Sequence, residues 1–92
     1  MKIVKYIIKD NGIPILFCPK KVHSDIVNTG VSAGYAIIDY NVTSDEFIVK
    51  CFGGSDSLKV SIRHQDCRII QNYLNDLLCE VKFVSIEDLL FD

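Results

Sequence analysis

A short run of glycine, serine and aspartate at residues 53–57, followed by Arg63, is the part of this 92-residue sequence most suited to binding a ligand. Adjacent glycines let consecutive backbone N–H groups turn inward around an anion, and serine hydroxyls add further donors. An arginine guanidinium suits a phosphate because its N–H groups form parallel hydrogen bonds. The sequence therefore predicts a site for a phosphate-bearing small molecule. Its residues are Gly53, Gly54, Ser55, Ser57 and Arg63.

The same composition is also typical of a hairpin loop or a β-bulge. Glycine permits the bend, and Asp56 and Ser57 can satisfy the backbone locally. Neither the phosphate-binding pattern G-x-x-x-x-G-K-[ST] nor G-x-G-x-x-G is present in the sequence. A ligand site and a purely structural turn both remain open as interpretations of residues 53–57.

Residues that would support metal binding or hydrolysis are few. His64 and Cys67 are three residues apart, but a structural zinc site needs four ligands and no second pair has suitable spacing. A nucleophile and its base could be assembled from Ser24 and His23, with Asp25 as the acid, or from Cys18 and His23. Sequence neighbours rarely converge as a catalytic triad, however, and no G-x-S-x-G motif is present. We therefore predict a non-enzymatic protein with no metal and no cofactor.

The apolar content is high for a chain of this length. Apolar residues make up 49% of the sequence, whereas a domain of this size has much surface and little interior. The excess predicts either a ligand pocket or an interface between copies of the chain. Of the two, the sequence favours a homo-oligomer.

Charge and cysteine spacing limit the partners and the compartment. The net charge of −2 is opposite to that of a duplex-binding domain, so nucleic acid is not an expected partner. No stretch approaches 18 uninterrupted apolar residues, and lysines interrupt the first nine residues, so neither a membrane span nor a signal peptide is expected. The four cysteines form no C-x-x-C pair, and we expect reduced thiols in a cytoplasmic protein.

Hydropathy alternation predicts the β-structure. Expected strands cover residues 2–9, 13–18, 31–40, 47–52 and 58–62. Asn11 and Gly12 predict a two-residue hairpin turn, and Pro14 predicts an edge strand because proline has no N–H for the ladder. Residues 57, 59, 61 and 63 are expected to share one face of the last strand as a polar row.

Helical periodicity predicts one long helix at residues 64–78 and a short helix with Ser24 as its N-cap. Together these elements predict a single α+β domain over residues 1–92. Its antiparallel sheet would consist of two or three hairpins, with the long helix of the C-terminal half packed on one face. A short strand at residues 80–85 and an apolar tail at residues 89–91 complete the chain, and the tail is expected to dock on this chain or on a neighbour.

Short motifs in the middle of the chain carry a resemblance. They are Val-Ser-Ala-Gly-Tyr at residues 31–35, Gly-x-Ser-x-Ser-Leu at residues 53–58, and Arg63 followed by Asp66. In these motifs the chain resembles small uncharacterised proteins of bacteriophages and prophages, although Gly54 stands where those proteins tend to carry arginine. The resemblance implies an accessory, non-catalytic role in a mobile element, such as binding a host protein or sequestering a nucleotide signal.

Two functions from different classes follow from the sequence. In the first, a compact oligomer holds a phosphate-bearing, nucleotide-like ligand near residues 53–57 and performs no chemistry. In the second, the chain is an interaction protein that engages itself or a host protein through its sheet edges and its apolar tail. The glycine loop would then be only a turn.

Overall fold

The structure, a computed structural model, describes residues 1–80. Its elements in chain order are β1 (Lys2–Ile8), β2 (Pro14–Phe17), α1 (His23–Ile26), β3 (Ser32–Asn41), β4 (Glu46–Phe52), β5 (Gly54–Ser55), β6 (Val60–Ser61) and α2 (Asp66–Glu80). The predicted α+β class, with an antiparallel sheet and one long helix, is confirmed. Neither helix in residues 1–80 has the length and apolar character that crossing a bilayer requires. The strand predicted at residues 80–85 and the apolar tail lie outside the described residues.

The main sheet has the strand order β2-β1-β3-β4, so two hairpins are joined by antiparallel pairing of β1 with β3. The register places Lys5 opposite both Phe17 and Tyr35, and it places Tyr35 opposite Phe52. Residues paired across antiparallel strands share a face of the sheet. A row of four side chains therefore crosses all four strands, and no local sequence pattern reveals it.

The core lies between α2 and one face of the main sheet. Buried side chains on this face alternate along β1 and β4, as the strand period requires. The cluster consists of Val4, Tyr6, Ile8, Ala36, Ile38, Phe47 and Val49 on the sheet, with Ile70 and Leu74 on α2. Each large apolar side chain buried in this way contributes about 1.5–3 kcal/mol. Ile70 and Leu74 are four positions apart, so they lie on the same side of α2 and are buried together.

Helix α2 also covers the outer edge of the sheet. Gln71 Oε1 accepts the backbone N–H of Val49 at 3.0 Å, and Asn75 Oδ1 accepts the backbone N–H of Phe47 at 2.7 Å. Two residues four positions apart lie on the same side of a helix, which is why a single helix can reach both donors. These backbone groups of β4 are thereby closed to pairing with a further strand.

The predicted strand at residues 58–62 is wrong in its first half. Only Val60–Ser61 is extended, and Lys59 has a φ of 58°. The hydroxyl of Ser55 accepts the backbone N–H of Leu58 at 3.2 Å, which holds a turn where a strand was expected. The polar row of residues 57, 59, 61 and 63 therefore does not form.

Two local predictions near the N-terminus are also corrected. Helix α1 begins after Val22, whose backbone N–H is accepted by the Asp25 carboxylate at 3.1 Å, so Ser24 is not the N-cap. The first hairpin forms, and Pro14 does lie in an edge strand, but the connection covers residues 9–13. Gly12 provides its left-handed turn with a φ of 79°, and the Asn11 side chain accepts the N–H of Ile13.

Candidate functional site

Residues 53–57 leave the end of β4 and fold over the sheet face opposite α2. Gly53 has a φ of 76°, a conformation that favours glycine, and a Cβ placed there would lie 3.1 Å from the Tyr35 ring. Gly54 begins β5 and pairs with Ser61. Gly53 thus brings the backbone close to the aromatic ring of Tyr35, and Gly54 brings it close to β6.

The two predicted serines hold this loop in place. Ser55 is 5% exposed, and its hydroxyl lies 3.3 Å from that of Ser57. The Ser57 hydroxyl also accepts the backbone N–H of Ser24 at 3.2 Å, which ties the loop to the start of α1. The serine hydroxyls therefore have structural partners already, as the turn interpretation expects, while Ser57 additionally lines the cleft described below.

Arg63 lies elsewhere. Its Nε donates to Asp66 Oδ1 at 3.0 Å, and its backbone N–H donates to Asp66 Oδ2 at 2.8 Å. Asp66 is fully buried, and it also accepts hydrogen bonds from the hydroxyls of Tyr6 at 2.6 Å and Ser32 at 3.0 Å. Arg63 therefore belongs to a buried polar network at the start of α2, and the structure does not bring it to the glycine–serine loop.

A cleft of ≈ 450 Å³ is bounded by the loop, the start of α1 and the sheet. Small-molecule sites typically measure about 300–1,000 Å³. Seven residues line the cleft: Lys5, Val22, His23, Tyr35, Gly54, Asp56 and Ser57. Of the five residues predicted from the sequence, Gly54 and Ser57 lie on its wall; Gly53, Ser55 and Arg63 do not.

The cation of the cleft is Lys5. Its ammonium donates one hydrogen bond to the Lys21 carbonyl oxygen at 2.7 Å and lies 5.5 Å from the centre of the Tyr35 ring. The carbonyl and the ring fix the position of the charge. A lysine ammonium has three donors, so two are not used by the hydrogen bond to Lys21, and Lys5 lines the cleft. Lys5 was not predicted as a site residue, because its place beside Tyr35 follows from strand register alone.

His23 forms a second polar group of the wall. The residue is 4% exposed, and its Nε2 lies 3.0 Å from the Gly34 carbonyl oxygen. Since a carbonyl only accepts, Nε2 carries a proton and Nδ1 of the neutral ring is an acceptor. The ring meets Phe17 and Tyr35 edge-on, with centroids 5.5 Å and 6.3 Å away. The sequence suggested His23 only as a base for Ser24 or Cys18, and no sequence signal connects it with Gly34.

The other residues considered for chemistry are not assembled into a site. His64 is exposed, whereas Cys67 packs against the core. Asp25 is engaged with the backbone of Val22. Within residues 1–80 no group of three or more His, Cys, Asp or Glu side chains is arranged to hold a metal ion.

Gly34 allows the sheet and the loop to approach each other. A Cβ at this position would lie 2.5 Å from Ile62 Cγ2 and 2.8 Å from the Phe52 carbonyl oxygen. We expect Gly34→Ala to lower the free energy of unfolding by about 1–3 kcal/mol, because the clash includes backbone that cannot rotate away. Urea denaturation measures the loss. Glu46→Ala, at an exposed position of the neighbouring strand, is the control, and an equally small effect of both substitutions would contradict the expectation.

Comparison of the chain with the profiles of known protein families, with curated proteins and with solved structures finds no match.

Proposed function

We propose that the chain is a small non-enzymatic binding protein that holds a phosphate-bearing, nucleotide-like ligand in the cleft between residues 53–57 and the sheet. The observation that supports this most is the Lys5 ammonium, which is held at the cleft by the Lys21 carbonyl with donors to spare. A phosphate oxygen that approaches these donors gains charge-assisted hydrogen bonds, which are stronger than neutral ones. In this proposal Lys5 takes the part that the sequence assigned to Arg63.

The remaining wall supports a ligand with both an anionic and a neutral end. Asp56 is exposed at the cleft, and its negative charge repels a phosphate from that side. Hydroxyl or amino groups of a sugar or a base can instead donate to Asp56 and to Nδ1 of His23. The phosphate therefore lies towards Lys5, and the neutral part of the ligand lies towards Asp56.

The cleft is proposed to bind without chemistry. His23 is the one histidine on its wall, and its Nε2 is engaged by the Gly34 carbonyl. A general base needs a nucleophile within hydrogen-bonding reach, and the hydrogen bonds of residues 1–80 place no serine or cysteine side chain on this ring. This arrangement suits a histidine that positions a ligand.

The proposal also includes a cellular location and a biological role for the protein. Cysteines that lack paired spacing support a reducing, cytoplasmic location, and the resemblance of the short motifs to those of phage and prophage proteins supports an accessory role in a mobile element. A second candidate function is that of an interaction protein that binds a host protein and has no small-molecule ligand. It is favoured by large apolar side chains that remain exposed, such as Ile13 at 52% and Val31 at 44%.

Nucleotide binding with and without Lys5 distinguishes these functions. We expect nucleotides to raise the melting temperature of the protein, and we expect Lys5→Ala to weaken binding about 10- to 100-fold, the effect of losing 1.5–3 kcal/mol of charge-assisted hydrogen bonding. Calorimetric titration measures the affinity. Lys20→Ala removes the same charge from an exposed position outside the cleft and should leave the affinity within about 3-fold.

Arg63→Ala provides a second control for nucleotide binding, because Arg63 does not line the cleft. At a temperature where this variant remains folded, it should bind nucleotides with the same affinity as the unchanged protein. If millimolar nucleotides and inorganic phosphate cause no thermal shift in the unchanged protein, the ligand proposal is wrong and the interaction function is favoured.

A further inference from the structure

Half of the sheet face opposite α2 has no cover within residues 1–80. Near one end, Ile7, Phe17 and Ala33 are buried beneath Val27 of the α1 segment and beneath Leu58 and Val60. The other end is open, and we call it the open face. It consists of Ile3 on β1, Ile37 and Asp39 on β3, and Ile48, Lys50 and Phe52 on β4.

The open face is more apolar than a water-facing sheet surface. The solvent-exposed face of an antiparallel sheet normally carries polar residues at alternate positions along each strand. Here Ile3 lies directly opposite Ile37, and Ile48 is diagonal to Ile37 on the next strand. Ile3 is 43% exposed and Ile48 is 40% exposed. Exposed apolar residues that are contiguous and rimmed by charge mark an interaction surface.

The charges on this surface indicate which partner it fits. Asp39 lies across from Ile48, and Lys50 lies across from Ile37, so an anion and a cation flank the same apolar diagonal. Both side chains are accessible to another molecule: Lys50 is exposed, and Asp39 is 57% exposed and lies 3.6 Å from the terminal ammonium of Met1. A surface ion pair of this kind contributes little.

We propose that the open face is the interface between two copies of this chain. A two-fold axis through the isoleucine patch brings Lys50 of each copy onto Asp39 of its partner, so the same pair forms twice. Ile3, Ile37 and Ile48 of the two sheets pack between these pairs, with the sheets about 10 Å apart. Helix α2 of each copy then lies on the outside. A patch of a single charge sign would repel its own copy, whereas this one complements it.

This interface borders the candidate cleft but does not depend on it. Tyr35, on the cleft wall, stacks on Phe52 of the open face with ring centroids 5.2 Å apart. Self-association is therefore expected whether or not the cleft binds a nucleotide, and the two proposals can fail separately.

Sedimentation of the full chain tests the interface. As the concentration rises from about 1 to 100 µM, which detects a dimer with a micromolar Kd, we expect the mass of the unchanged protein to approach that of a dimer. Ile48→Lys should weaken the dimer at least about 100-fold, because it places a charge at the centre of an apolar contact. Val42→Lys makes a matched change at an 80% exposed position between β3 and β4 and should leave the mass unchanged. Circular dichroism confirms that both variants are folded.

Charge reversal tests the two-fold pairing itself. Lys50→Glu alone and Asp39→Lys alone each place like charges in contact and should weaken the dimer about 10-fold or more. The double variant restores opposite charges and should recover most of the lost affinity. A monomer at 100 µM would overturn the proposal, as would a dimer that tolerates Ile48→Lys. Failure of the double variant to recover would overturn it as well, since the two-fold pairing requires the recovery.

Discussion

Asp66→Ala should lower the free energy of unfolding by about 3–5 kcal/mol, the effect expected when a buried carboxylate is removed from its partners. Asp66 is fully buried, and it accepts hydrogen bonds from Tyr6, Ser32 and two N–H groups of Arg63. Without the carboxylate, the buried hydroxyls lose their acceptor, and each unsatisfied group costs about 1–3 kcal/mol. Since small domains have total stabilities of only about 5–15 kcal/mol, the variant should be largely unfolded at moderate urea concentrations.

Asp76→Ala is the matched control for this substitution. Asp76 is exposed on the same helix, and its loss should change stability by no more than about 0.5 kcal/mol. Tyr6→Phe removes one of the hydrogen bonds to Asp66 and should have an intermediate effect. Equal urea midpoints for Asp66→Ala and Asp76→Ala would show that the network does not stabilise the fold.

Alkaline pH should destabilise the protein through Cys51 and Tyr6. Burial raises the pKa of the Cys51 thiol from 9.0 to about 11. Burial, followed by the hydrogen bond to Asp66, raises the pKa of the Tyr6 phenol well above its ordinary value of 10.0. Both groups keep their protons to a higher pH in the folded chain than in the unfolded chain. The stability they support is therefore complete below pH 9 and is lost as the pH rises, because the unfolded state releases its protons first.

The free energy of unfolding should fall in two stages. Each group contributes about 1.4 kcal/mol per pH unit, so we expect that slope between about pH 9 and 10 and roughly twice that slope between about pH 10 and 11. Urea denaturation under reducing conditions, repeated across this range, measures both slopes. Cys51→Ala should move the onset to about pH 10, whereas the same substitution at the exposed Cys18 should not. A stability that is flat to pH 11 would contradict the burial of both protons.

Elements with long, regular hydropathy patterns were predictable from the sequence. Helix α2 has an apolar residue at every third or fourth position, and β3 and β4 combine β-branched residues with a polar connection at residues 41–46. Local composition was less informative where a single side chain decided the conformation. The turn before β6 depends on the Ser55 hydroxyl, and the start of α1 depends on the Asp25 carboxylate.

The candidate site was only partly predictable for a related reason. Glycines at residues 53 and 54 indicated a loop with close backbone approach, and the structure brings Gly54 and Ser57 to a cleft. The cation of that cleft is separated from the loop by almost fifty residues of sequence and reaches it through strand pairing. Arg63, much nearer in sequence, is held by Asp66 because a buried carboxylate requires compensating donors.

By itself, the sequence determined the α+β class, the hairpins, the long helix and the position of the glycine loop, because these follow from short-range periodicity and from the conformational preferences of single residues. Only the tertiary structure decided where the charged side chains lie and which groups they contact. Pairing of β1 with β3 placed Lys5 beside Tyr35, and packing of α2 on the sheet buried Asp66 against Tyr6. The physical reason is that strand register and helix packing act between residues distant in the chain, so no local pattern contains them.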